Sequence, residues 1–242
     1  MKWTGSQFVI VGNNGLILTS PDAKDWLAQD AAIVDHLVDV TWHGGQAVAV
    51  GGHDGAILTS TDLMSWVDRR TTIMEPLGSA VALDDIVWGG GQFVATGGAG
   101  TIFTSRDAIH WRHRLAPANN DLHGVAWGSN LYVAVGANGT ILTSPDGERW
   151  TARFSGTRAT LIEIAWGHDQ FVAVGTGGTI LTSRDGMTWA PQPSGTTNSL
   201  NAVAWGDNEF VAVGDHYAIL TSPDGVNWTP RPSLGRLLEV HR

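Results

Sequence analysis

The chain has no cysteine, two tyrosines and only 15% charged residues among its 242 positions, and each shortage excludes something. Without cysteine there are no disulfides, no thiolate nucleophile and no sulfur-ligated metal, a composition that fits a reducing compartment. No apolar run approaches the ~20 residues that a membrane-spanning helix needs. Basic residues are also scarce: 14 Lys and Arg face 23 Asp and Glu, for a formal charge of −9. That balance opposes binding to a phosphate backbone and favours cationic partners. Neither a phosphate-cradling glycine loop nor a G-x-S-x-G nucleophile elbow is present. Met1-Lys2-Trp3 runs straight into the first repeat, so the expected compartment is the cytoplasm if Met1 is native, or an exported one if a leader was removed.

What the chain has instead is one stretch written six times. Its cleanest copy runs Val125-Ala126-Trp127-Gly128, then Tyr132-Val133-Ala134-Val135-Gly136, then Gly139-Thr140-Ile141-Leu142-Thr143-Ser144. The copies start near Trp3, Trp42, Trp88, Trp127, Trp166 and Trp205, a step of 39 residues except for 46 between Trp42 and Trp88. A fixed period in this range marks a repeat architecture. Within a copy, Leu131–Val135 is apolar on both faces, as a strand covered on both sides must be. Asn138-Gly139 signals a tight turn, Thr140–Ser144 a third strand, and Trp150–Phe154 a polar fourth strand suited to a sheet edge. Four antiparallel strands in ~40 residues make one propeller blade.

The turn between strands three and four reads Ser-x-Asp-x-x-x-Trp in every copy, from Ser20/Asp22/Trp26 to Ser222/Asp224/Trp228. The six aspartates Asp22, Asp62, Asp107, Asp146, Asp185 and Asp224 are expected to accept backbone N–H bonds across their own turns. Gly147, Gly186 and Gly225 then allow a left-handed residue. A residue present in every blade does a per-blade job, so these positions read as framework.

This turn, behind the V-A-V-G and T-I-L-T-S strands, resembles the Asp-box (BNR-like) repeat propellers, close in style to those of the photosystem II assembly factor type. The resemblance covers essentially the whole chain and implies a propeller fold. In the usual Asp-box one residue separates Asp from Gly; here Gly follows Asp directly, and Ala23, Leu63 and Ala108 replace it in blades one to three. Sialidase activity, which some Asp-box propellers carry, needs three inner arginines and a Tyr/Glu pair. Most arginines here fall in the outer strand, and Tyr132 falls in a core strand.

The first strand carries Leu-x-x-Val/Ile in five blades, and the missing copy is found at the C-terminus as Leu237-Leu238-Glu239-Val240. The expected fold is therefore all-β: one six-bladed β-propeller domain over 1–242, of four-stranded antiparallel blades, its ring closed by the C-terminal strand completing the first blade.

Function should be written where the copies differ, in the first-strand approaches and the turns between strands two and three, which share the channel mouth. The usual Asn-Gly becomes His53-Asp54 in blade two and Asp215-His216-Tyr217 in blade six, while His36 and His123 lie at first-strand starts. Such groups suit metal ligation or proton transfer, with His53 and His216 the metal candidates, and equally suit plain solvated turns. Three positions before the first Trp, four blades are acidic: Asp39, Asp85, Glu163 and Glu239. These either form a negatively charged funnel or cap local backbone and pair with Arg158 or Arg236. The seven extra residues, around 71–80, read as a lid or as a longer loop. The leading functional reading is a non-catalytic binding or assembly module holding a protein or small-molecule partner, with cationic ligands among the candidates, acting as a monomer with no nucleic acid, no membrane insertion and no cofactor. The alternatives are an enzyme with a His/Asp/Tyr site, metal-assisted through a divalent ion, and a carbohydrate-binding propeller. The paired Trp of each blade sit at framework positions, which weakens the last.

Overall fold

The Val-Ala-Val-Gly segments become second strands because both their faces meet apolar partners. Val133, Ala134 and Val135 are fully buried, as are Val172, Ala173 and Val174. A computed structural model of the chain describes residues 1–31, 33, 35–52, 54–70 and 82–232. Within them lie six four-stranded antiparallel sheets, each in simple chain order, the blades of a six-bladed β-propeller. The C-terminal strand expected to complete blade one, with Glu239, lies outside the described residues, as do His53 and the 71–80 insertion.

The chain groups into two units: Met1–Asp121 with Gly147–Arg149, and Leu122–Asp146 with Trp150–Arg242. In the first unit, blade one is Lys2–Trp3, Phe8–Val11, Ile17–Ser20 and Leu27–Gln29. Its inner strand is short, pairing Lys2 with Val9 and Trp3 with Phe8. Blade two is Leu37–His43, Gln46–Gly51, Ala56–Ser60 and Val67–Asp68; blade three is Leu83–Gly89, Gln92–Gly97, Thr101–Ser105 and Arg112–Arg114. In the second unit, blade four opens with Leu122–Gly128, blade five with Leu161–Gly167 and blade six with Leu200–Gly206.

Cores form between neighbouring blades. In the first unit, Val48, Val50 and Ile57 of blade two pack against Leu83, Phe93 and Phe103 of blade three. In the second, Val172, Val174 and Ile180 of blade five meet Leu200, Phe210 and Leu220 of blade six. The first Trp of a blade rests on the following hairpin residue, with Trp166–Phe171 and Trp205–Phe210 centroids both 4.5 Å apart. Its other face lies against the preceding blade: a Cβ on Gly128 would overlap the Trp166 indole, and one on Gly167 the Trp205 indole. In the first unit the same place holds His43, whose ring stacks on Trp88 at 3.9 Å and 10°.

The outer edge is held by a repeated pair. The side-chain nitrogen three residues past the second Trp donates to a Thr Oγ1 of strand three at 2.8 or 2.9 Å: Gln29–Thr19, Arg69–Thr59 and Arg114–Thr104 in the first unit, Arg153–Thr143, Gln192–Thr182 and Arg231–Thr221 in the second. The short fourth strand has few ladder bonds, and a neutral or charged donor serves the clasp equally well.

Candidate functional site

The Ser-x-Asp-x-x-x-Trp turn acts locally. Asp22 Oδ1 accepts the N–H groups of Lys24 and Asp25 at 2.9 and 3.0 Å, and Asp224 Oδ1 those of Val226 and Asn227 at 2.9 and 2.8 Å. The Ser hydroxyl donates to the same Asp oxygen, at 3.0 Å for Ser144–Asp146 and Ser183–Asp185. Donors aimed at a carboxylate favour its charged form. The Ser65 N–H, then that of Met64, holds Asp62 down to about 2, and the Thr188 N–H leads in lowering Asp185. At Asp107 burial pushes upward, but the His110 ring and the N–H groups of the turn outweigh it and the carboxyl lies well below its usual range. The indole N–H ends on the carbonyl after the Asp, as in Trp111 to Ala108 O at 3.0 Å and Trp228 to Gly225 O at 2.8 Å.

The acidic first-strand positions follow a β-bulge. The register slips between Leu37 and Asp39, between Leu122 and Gly124, and between Leu161 and Glu163, so Val38, His123 and Ile162 are the extra residues of the bulges. A bulge turns the next side chain back toward backbone. In the first unit, the Ile86 N–H lies 2.8 Å from Asp85 Oδ1 and 3.3 Å from Asp39 Oδ2, so carboxylates of two adjacent blades share one donor. In the second unit Glu163 Oε1 accepts the Ile164 N–H at 2.8 Å. Each of the three described acids thus lies within hydrogen-bond distance of a backbone N–H.

The histidines fall into different settings. In the first unit His36 is exposed, with Nδ1 3.1 Å from Asn13 Oδ1 of the blade-one turn. Asp121, the corresponding residue before blade four, accepts the Ala99 N–H of the blade-three turn at 2.8 Å. Before blades two and four, the residue preceding the first-strand Leu therefore links to the previous turn. Beside His36, Arg70 joins Asp35 at 2.7 Å and Asp68 at 2.6 Å, fastening the approach to blade two. Asp54 is exposed, and its neighbour His53 lies outside the described residues.

In the second unit His123 is half-buried at its bulge. Asp215 is held by the Asn201 amide at 2.8 Å, and its N–H donates to Ser199 O at 2.9 Å. His216 and Tyr217 follow at φ 53° and 61°, both left-handed, with Tyr217 70% exposed. A rigidly held turn thus presents an imidazole and a phenol to solvent. Among the described residues no group of three or more His, Asp or Glu stands close enough to hold a metal ion. The expected meeting of His53 with the blade-six turn lies outside the described residues.

Two features escaped the sequence reading. The Thr-to-Arg/Gln clasp was visible as a pairing ten residues apart in every copy. The other is a cavity of about 310 Å³ in the first unit, lined by Arg106, Arg112, Arg114 and His110 with Asp107 and Glu148. Its cations are scattered over a turn and a strand and look ordinary one by one.

No protein-family model matches the chain, and no curated protein matches it. Among solved structures the fold is that of known propellers. YCF48 from Cyanidioschyzon merolae superposes with a TM-score of 0.71 at 17% identity, over 95% of this chain and 82% of that one. A structure of YCF48 bound to D1 peptide gives 0.73 at 19% identity, over 96% and 79%. A chain of a nidogen/laminin complex gives 0.67 at 10%, over 93% and 92%. At such identities the likeness is one of fold.

Proposed function

We propose that the protein is a non-catalytic binding or assembly propeller whose partner is a protein segment. The observation that carries this reading is the similarity in fold to the structure of YCF48 bound to D1 peptide, with a TM-score of 0.73. Supporting it, the Asp turns, the bulge carboxylates and the clasp arginines Arg69, Arg114, Arg153 and Arg231 have backbone or framework partners in this chain. We further infer that the Ser-x-Asp-x-x-x-Trp turn is a shortened Asp-box, keeping the Asp cap and the Trp seat.

In the second unit, the candidate contact is the Asp215-His216-Tyr217 turn, where an exposed phenol stands on an ordered backbone. Rigid aromatic side chains lose little entropy on binding and serve as anchors. With a net charge of −9, a basic partner segment is favoured. Peptide display on the purified chain, followed by calorimetry of a selected peptide, tests this. Selection of basic peptides whose affinity drops about tenfold in Tyr217→Ala, as for loss of one anchor, supports it. Failure to enrich any peptide would sink it.

A further inference from the structure

Independently of the peptide reading, we propose that the cavity beside the blade-three turn is a binding site for a phosphate monoester. Blade three differs from its siblings there. Arg106, His110 and Arg112 occupy three positions at which each other blade writes at most one cation, Arg149 in blade four and Arg184 in blade five. Three of the chain's 14 Lys and Arg line this one cavity, against a net charge of −9, so the clustering is not a by-product of a basic protein.

The two acids in the cavity do not cancel it. Asp107 Oδ1 takes the N–H groups of Ile109 and His110 at 2.9 and 2.8 Å, and its Oδ2 lies 2.7 Å from His110 Nδ1. Glu148 Oε1 is 3.2 Å from Arg114 Nη2, and Arg114 Nε is committed to Thr104. Arg106 and Arg112 are exposed and form no ion pair among the described residues. Their planar forks match the oxygens of a phosphate, and two of them suit a dianion better than a single carboxylate. The contact with Asp107 fixes the orientation of the His110 ring at the cavity wall. About 310 Å³ exceeds the needs of the phosphate alone and leaves room for a short organic group.

The phosphate can be borne by a small molecule or by a modified side chain of a partner, and the test separates them. Calorimetry or NMR titration of the full chain would use inorganic phosphate, free phosphoserine, and a phosphoserine peptide beside its unphosphorylated form. Saturable binding of phosphoserine is expected, weakened about tenfold or more in Arg106→Ala/Arg112→Ala, as for loss of two charge-assisted forks. Both residues are exposed, and an unchanged melting temperature would show that the variant stays folded. A peptide binding more tightly than phosphoserine indicates a protein-borne group; equal affinities indicate a small molecule. Absence of binding by every phosphate probe, or binding that the double variant leaves unaltered, overturns the proposal.

Discussion

The Asp turns of blades one to three and of blades four to six make the same hydrogen bonds with different residues at the left-handed position. The first three use Ala23, Leu63 and Ala108 at φ 60°, 64° and 60°; the last three use Gly147, Gly186 and Gly225 at 69°, 68° and 67°. A side chain at such a φ costs roughly 1–2 kcal/mol, so the first three turns are strained and the last three are not. Leu63 and Ala108 recover part of that by burying their side chains, at 2% and 0% exposure. Ala23 is exposed and recovers nothing. The hydrogen-bond scheme of the turn thus dictates the backbone, and the side chain is secondary.

The comparison can be broken from either side. The largest effect is expected for Gly225→Ala. Its Cβ would lie 2.5 Å from Gln170 Nε2, which donates to the Asp224 carbonyl, so strain adds to a lost hydrogen bond. We expect roughly 2–3 kcal/mol of destabilisation in urea unfolding. Leu63→Gly relieves strain but removes a buried leucine, for a net loss of about 2 kcal/mol. A gain in stability would show that the leucine contributes little.

Acid sharpens the comparison next. The carboxylates of Asp22, Asp62, Asp107, Asp185 and Asp224 are depressed when folded, so the stability they confer is complete above the unfolded value near 4 and is lost as pH falls toward the folded values, about 2 for Asp62. Melting temperature should therefore decline from about pH 4 to about pH 2, and Asp62→Asn should flatten that decline. The smallest effect belongs to Ala23→Gly. Relief of about 1 kcal/mol in the folded state is nearly matched by the added freedom of the unfolded chain, leaving a gain of a few tenths. A measured loss would mean that the Ala23 methyl makes a contact worth more than the strain.

Blade number and the Asp turn were legible because their determinants are local: Trp127, Asp146 and Trp150 lie within one copy. The seam contacts were not. That Asp39 shares the Ile86 N–H with Asp85 depends on how adjacent blades lie in register, and spacing within one strand carries no trace of it. Gly128 and Gly167 each follow a first Trp and are required by an indole from the next copy, which spacing within one copy does not reveal. The blade-three cavity was hidden for a related reason, since Glu148 comes from a different copy than Arg106 and Arg112.

The indole seats also bear on how such a chain can be shuffled. In the second unit Trp166 and Trp205 each lie against a bare glycine, so a duplicated module would find an identical berth beside either copy. Trp88 lies on the His43 ring instead, and a module moved there from the second unit would have to accept an imidazole as its floor. Recombination of modules is thereby freer in one half of the sequence than in the other.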